Sequence, residues 1–128
     1  MLTNARSVLN KLDEIHSTRL RFKPSLMVIT ESWLHESVDD NSLGLTSYRI
    51  LRRDRNSLGG GILILYSDII KIEECLCQSF DIQDCKTQIL TFFVHQRNLM
   101  VVAIYHPYWG SSVHHASVID HIIDIVSH

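Results

Sequence analysis

The clearest indication of the fold comes from residues 26–34, which read Leu-Met-Val-Ile-Thr-Glu-Ser-Trp-Leu. The first five carry no charge, and Leu26–Thr30 is apolar on both faces of an extended chain, which predicts a central, buried strand. Glu31 follows where that strand leaves the core. Rigid backbone would hold a carboxylate there, open to solvent, and this suits a hard ion such as Mg²⁺. Taken alone, a Glu that follows a strand is more often a solvated loop residue.

Further strands are predicted on both sides of this centre. Residues 61–66 form a second fully buried strand, and residues 48–53 a short strand with basic outward positions. Residues 69–76 alternate in polarity, as an edge strand does. Residues 87–95 and 99–105 predict a hairpin around 96–98.

Two helices and a polar loop complete the prediction. Ser7 is a candidate N-cap, and apolar residues then recur at helical spacing until the helix ends before Pro24. Residues 35–47 predict a polar loop. Residues 111–128 predict a closing helix with one apolar stripe. Together these elements predict an α+β fold with mostly antiparallel strand pairing.

The composition is that of one small folded domain. The chain has 128 residues, 45% of them hydrophobic and 20% charged, with a net charge of −2 and a pI near 6.4. These values exclude a disordered chain. They also exclude the overall basic balance typical of nucleic-acid-binding domains, so any DNA contact must come from a local patch. No signal peptide or membrane-spanning stretch is recognisable, which predicts an intracellular protein of nucleus or cytoplasm.

Cysteine and histidine could form metal sites, but neither set has a recognised spacing. The three cysteines, an odd number, favour reduced thiols over disulfides. Zinc would need a fourth ligand, so half-buried thiols are the favoured interpretation. His114, His121 and His128 recur every seven residues, and a polar or partly packed helix face explains them better than a zinc site does.

Four segments, in this order and at these spacings, resemble the endonuclease/exonuclease/phosphatase superfamily. They are residues 2–7, 26–34, 52–64 and 101–107. The chain is most similar to the endonuclease domain of LINE-type (non-LTR) retrotransposons, a relative of DNase I. The resemblance covers nearly all 128 residues.

The resemblance implies a DNase I-like fold. Residues 1–128 would be a partial domain, the N-terminal half of a four-layer α/β sandwich. This half would supply one mostly antiparallel sheet with helices on one face. We therefore expect the other face to be an exposed apolar surface through which the chain self-associates.

The resemblance also assigns roles to three residues. Glu31 matches the family's metal ligand, which implies Mg²⁺ or Mn²⁺ as cofactor. Asn4 matches the asparagine that orients the active-site groups. Tyr105 matches the tyrosine that contacts the scissile phosphate. In the intact family the partner is DNA and the chemistry is metal-dependent hydrolysis of phosphodiester bonds.

A basic cluster precedes three glycines in residues 49–61. Arg53 and Arg55 are the candidate nucleic-acid contacts, against the alternative of a solvated charged face. Gly59-Gly60-Gly61 has the conformational freedom of a turn that launches a strand. It lacks the Lys-Ser/Thr of a P-loop, so chain geometry explains it better than phosphate binding.

Two family segments do not occur in the chain, namely Gly-Asp-x-Asn and the terminal Ser-Asp-His that supplies the catalytic base. We therefore expect a truncated endonuclease domain that is inactive alone and holds its metal weakly or not at all. The alternatives are a half-domain that needs a second chain for activity, or a non-catalytic interaction module.

Overall fold

The computed structural model describes residues 1–55, 59–82 and 85–106 together with Asp120, and it describes only the backbone of those between 74 and 87. Within these ranges, seven strands and an N-terminal helix form the regular structure. The helix is α1 (Leu12–Phe22). The strands are β1 (Leu2–Asn4), β2 (Leu26–Thr30), β3 (Arg49–Arg53), β4 (Ile62–Tyr66), β5 (Ile72–Ile82), β6 (Cys85–Val94) and β7 (Leu99–Tyr105).

The first sheet has the strand order β1-β2-β4-β3. β1 runs parallel to β2, with Asn4 opposite Thr30. β2 and β3 both run antiparallel to β4, and Thr30 and Arg53 are each paired with Ile62. The pairing is therefore mostly antiparallel, as predicted.

The strands β5, β6 and β7 form a second antiparallel sheet, so the expectation of a single sheet was wrong. The two sheets share an apolar core, in which Ile62 and Ile64 of β4 pack with Leu90 and Phe92 of β6. Because these side chains are fully buried, the face of the first sheet that we expected to be exposed is covered. Sequence periodicity identifies strands but does not assign them to sheets, and this caused the error.

A second core lies on the other face of the first sheet. Met27, Ile29, Leu63 and Leu65 alternate with the residues of the inter-sheet core and pack against Ile15 of α1. The described residues thus form three layers, with α1 and the loops outside the first sheet and the second sheet beneath it. The fourth layer of a complete sandwich stays a prediction.

Two local predictions were wrong. Helix α1 begins at Leu12 and has no side-chain cap, because Ser7 has a left-handed φ of 85° and lies before an irregular turn. The loop predicted as polar contains a short 3₁₀ helix, Asp40–Leu43. Its Leu43 and the following Leu45 are buried in the core against α1, so apolar residues fix this loop in place.

The positions of the remaining strands agree closely with the structure, but the basic residues of β3 do not all face outward, because the Arg52 side chain is only 15% exposed. β4 is buried at four consecutive positions, and β6 and β7 form the expected hairpin, joined through His95–Arg97. β5 begins at Ile72 and is longer than predicted. The side chains of the three cysteines and the helix predicted at 111–128 lie outside the described residues. Within the described part of the chain, no helix is both long and apolar enough to cross a membrane.

Candidate active site

Strand directions bring the predicted site residues to one edge of the molecule. β1 and β2 are parallel, so Asn4, the last residue of β1, and Glu31, the residue after β2, lie at the same edge. β3 ends and β4 begins there too, because Arg53 and Ile62 are paired. In the second sheet Tyr105 ends β7 opposite Gln88 of β6. Asn4 is exposed at the end of the edge strand β1.

Glu31 has a strained backbone that hydrogen bonds hold in place. Its φ of 53° lies in the left-handed region, which is unfavourable for a residue with a side chain. Its carbonyl oxygen accepts a hydrogen bond from the Ser7 amide at 2.9 Å. On the other side, the Ser32 amide donates to the Gly61 carbonyl at 3.3 Å. Rigid backbone on both sides therefore orients the carboxylate.

The Glu31 carboxylate contacts the Tyr105 side chain across the two sheets. The Tyr105 hydroxyl donates a hydrogen bond to Glu31 Oε1 at 3.1 Å. Burial raises the pKa of Tyr105 above its ordinary value, and the charge and hydrogen bond of Glu31 raise that pKa further. The phenol therefore stays protonated at neutral pH and acts as a donor. Glu31 Oε2 also lies 3.9 Å from Nε of the exposed Arg6.

Two glycines allow the backbone to approach this site closely. Gly61 has a φ of 95°, and a side chain there would overlap Ser32 Oγ. Gly60 has a φ of 71°, and a Cβ there would lie 2.5 Å from Cδ of Arg55. Gly59, Gly60 and Gly61, the glycine turn, all have positive φ, as predicted. This turn also leaves room for Ser32 and for the Arg55 side chain.

Gln88 connects the glycine turn to the end of β3. Its side-chain oxygen accepts a hydrogen bond from the Gly61 amide at 2.6 Å, and its amide group donates to the Asp54 carbonyl at 3.2 Å. Gln88 is 2% exposed. Sequence reasoning missed this residue, because a glutamine at the start of an apolar strand gives no sign of being buried.

The four arginines of the basic cluster have different environments. Arg52 is inward-facing, hydrogen-bonded to both oxygens of Asp54 at 2.6 and 2.9 Å and to Asp40 at 2.7 Å. The hydrogen bond to Asp54 is the main reason that the pKa of Arg52 is raised. Arg49 is exposed and lies 3.7 Å from Asp68. Arg53 is half-buried at the end of β3.

Arg55 lies at the site itself. Its side chain lies against Gly60 beside Gln88, which is paired with Tyr105. Its positive charge lowers the pKa of the Tyr105 phenol, against the larger effects of burial and Glu31. The sequence grouped Arg53 and Arg55 as nucleic-acid contacts. The structure brings Arg55 near Tyr105, and contact of Arg53 with nucleic acid stays a prediction.

The residues present are compatible with a divalent ion held by one carboxylate. In the described part of the chain, no three His, Cys, Asp or Glu side chains cluster closely enough to form a metal site. Glu31 is the carboxylate at the strand edge, and its side chain is 20% exposed. Mg²⁺ often binds through one or two carboxylates, with water and substrate oxygens completing its octahedron.

Comparison with known proteins identifies the fold and not the family. No protein-family profile matches the chain, and no curated protein sequence matches it. Solved structures do match. TDP2 from Caenorhabditis elegans superposes with a TM-score of 0.57 at 16% identity, over 96% of this chain and 40% of that one. A truncated form of the same protein gives 0.55 at 16% identity, over 96% and 51%.

The catalytic domain of human Nocturnin, solved with a bound sulfate anion, matches with a TM-score of 0.50 at 8% identity, over 81% of this chain and 44% of that one. The present chain thus spans about half, or less, of the structures it matches. Both neighbours belong to the endonuclease/exonuclease/phosphatase superfamily. The mixed sheets described above therefore have the DNase I-like fold of that superfamily.

Proposed function

We propose that this chain is part of a divalent-metal-dependent phosphodiesterase of the nuclease type, related to the endonuclease of LINE-type retrotransposons and acting on DNA. One observation carries the proposal, the 3.1 Å hydrogen bond from the Tyr105 hydroxyl to the Glu31 carboxylate. It joins two side chains that are 74 residues apart at the edge where the strands of the first sheet end or begin.

Each residue has a specific task in this proposal. Glu31 offers a hard oxygen ligand, held by a backbone that is fixed on both sides. Tyr105 orients that carboxylate and presents a protonated hydroxyl to a phosphate oxygen. Asn4, at the end of the adjacent strand, orients the same groups through its amide. A bound Mg²⁺ or Mn²⁺ would stabilise the negative charge that develops on the phosphate and the leaving oxygen.

The proposed reaction requires catalytic groups that do not occur in this sequence. General base catalysis alone contributes ~10²–10⁴-fold to such reactions, and the chain has neither Ser-Asp-His nor Gly-Asp-x-Asn. We therefore propose the N-terminal half of a nuclease domain that is inactive by itself. A second chain carrying those groups would restore activity.

Metal binding at Glu31 tests the proposal directly. Tyrosine labelled with ¹³C at Cζ would be observed by NMR while Mn²⁺ is added. We expect paramagnetic broadening of the Tyr105 signal that Mg²⁺ reverses and that is lost in Glu31→Gln. Glu14→Gln is the matched control, because Glu14 is 75% exposed and lies 3.8 Å from Lys11 on α1. Equal broadening in Glu31→Gln and wild type would refute a metal role for Glu31.

A plasmid-nicking assay tests the requirement for missing groups. With Mg²⁺ present, we expect the purified chain to leave supercoiled DNA intact. Nicking by the wild-type chain that disappears in Glu31→Gln, but not in Glu14→Gln, would show that the chain is active alone. That result would contradict the proposed inactivity while it supported the metal role.

A further inference from the structure

Two arginines lie near the pair formed by Glu31 and Tyr105, and they differ in solvent exposure and in their contacts. Arg6 is 80% exposed and reaches Glu31 only at 3.9 Å. Arg55 is half-buried, and its side chain lies against Gly60 beside Gln88, the residue that is paired with Tyr105. A side chain confined there loses less freedom on binding a ligand than a solvated arginine would.

The backbone around Arg55 is built to hold its side chain in place. The guanidinium lies across Gly60, where Nη1 would be 3.1 Å from a Cβ. The buried Gln88 fixes the chain on either side, through Gly61 and the Asp54 carbonyl. Only a glycine at position 60 leaves this space free.

The guanidinium retains capacity for an acceptor. Among the described residues Arg55 forms no ion pair with a carboxylate, whereas Arg52 pairs with two. Its Nε atom is buried and has no hydrogen-bond acceptor among those residues. Buried donors without acceptors are uncommon and require an explanation.

The Tyr105 phenol is therefore influenced by both an anion and a cation. The Glu31 carboxylate accepts its hydrogen bond, and the charge of Arg55 lowers its pKa. A cation would be attracted to the Glu31 side and an anion to the Arg55 side. A planar guanidinium matches the oxygens of a phosphate group in geometry as well as charge.

We propose that Arg55 binds a non-bridging oxygen of a phosphate group that also contacts Tyr105, and so determines where the phosphodiester lies relative to Glu31. This inference rests on the proposed function, since both use the same site. It assigns anion binding to Arg55. Arg52 then has a structural role, and Arg49 is exposed to solvent.

Inorganic phosphate is the probe for this proposal, and the Tyr105 ¹³Cζ signal is the readout. We expect a saturable shift in wild type and in Arg49→Gln, which removes the same charge from an exposed position. Arg55→Gln should weaken phosphate binding by roughly tenfold or more, as expected for the loss of a charge-assisted hydrogen bond. Wild-type affinity in Arg55→Gln, or no phosphate-dependent shift in wild type, would overturn the proposal.

Arg55→Lys is a second variant, which tests the proposal if Arg55→Gln does not fold. Lysine keeps the charge but not the planar fork, so we expect phosphate affinity between those of wild type and Arg55→Gln. If Arg55→Gln unfolds, as judged from its Tyr48 and Tyr66 signals, the lysine variant decides the matter. A folded Arg55→Lys with unchanged phosphate affinity would overturn the proposal.

The Mn²⁺ experiment at Glu31 separates this inference from the proposed function. Phosphate binding that depends on Arg55, without Mn²⁺ binding at Glu31, would support the anion site and refute the metal-dependent function. Mn²⁺ binding at Glu31 with phosphate affinity unchanged in Arg55→Gln would refute the anion site alone.

Discussion

At the scale of single residues, the candidate site depends on side chains that orient one another. The Tyr105 hydroxyl donates a hydrogen bond to the Glu31 carboxylate, and the charge of Arg55 acts on the same phenol. Because Glu31 and Arg55 shift the pKa of Tyr105 in opposite directions, a change at any of the three residues should alter the titration of the phenol.

Tyr105 should make stability fall at alkaline pH. Its pKa is raised in the folded chain above the ordinary 10.0. A raised pKa means that the proton is held more tightly when folded, so the stabilisation is complete below pH 10 and is lost as pH rises through the folded pKa. Urea unfolding between pH 8 and 11.5 measures this loss, which Tyr105→Phe should reduce.

Tyr48→Phe is the matched control for that experiment. The Tyr48 hydroxyl donates to the Pro24 carbonyl at 2.7 Å, at the end of the first sheet where β2 begins, opposite the end that Glu31 follows. We expect Tyr48→Phe to keep the alkaline loss seen in wild type. An identical pH dependence in wild type and Tyr105→Phe would show that Tyr105 does not contribute.

Arg52 should contribute much more to stability than Arg49. Arg52→Gln leaves Asp40 and Asp54 without their partner in a site where the arginine is 15% exposed. We expect a loss of about 2–4 kcal/mol in the free energy of unfolding. Arg49→Gln, at an exposed pair, should change it by less than ~0.5 kcal/mol. Similar urea midpoints for both variants would contradict this ranking.

At the scale of elements, the turn before β4 holds the site together. Its backbone bonds to the segment after β2, with the Trp33 amide donating to the Gly60 carbonyl at 3.0 Å. Gln88 brings the same turn to the end of β3. Residues from three strands therefore keep their positions only if this turn keeps its shape.

Gly61→Ala should distort that turn. Its φ of 95° is strained for alanine, and the added Cβ would overlap Ser32 Oγ. We expect a loss of about 2–4 kcal/mol in the free energy of unfolding. Adding Ser32→Ala should recover part of the loss, because the overlap disappears while the backbone strain remains. Gly59→Ala is the comparison for the overlap alone, since its φ of 157° is also unfavourable for alanine but nothing lies within 4 Å of a Cβ there. Equal losses at both glycines would refute this explanation.

At the scale of the whole molecule, the two sheets are joined by an apolar core. Phe92 is fully buried there, next to Ile62 and Ile64 of the first sheet. Phe92→Ala should reduce the free energy of unfolding by about 3–5 kcal/mol. Phe22→Ala, at a side chain 59% exposed, should change it by less than ~1 kcal/mol. A small effect at Phe92 would show that the sheets are only loosely joined.

Self-association stays a prediction, but the surface first expected to support it is buried between the sheets. Leu2, on the edge strand β1, is 73% exposed. Sedimentation velocity over a range of concentrations would measure association, and Leu2→Ser would show whether the β1 edge takes part.

The sequence alone was enough to predict elements whose signal is local. Residues 26–30 and 62–66 are apolar on both faces, and both are central strands. The hairpin of β6 and β7 was predicted because a polar break separates two apolar runs. The start of α1 was not, because Ser7 offers a cap that the backbone there does not use.

Long-range arrangement depended on the tertiary structure. Local periodicity identified the strands, but the second sheet, the burial of Gln88 and the different roles of Arg52 and Arg55 depend on pairing between distant segments. Resemblance to a family singled out Glu31 and Tyr105, which are 74 residues apart. Their contact exists because two sheets pack face to face, and no pattern within either segment encodes that packing.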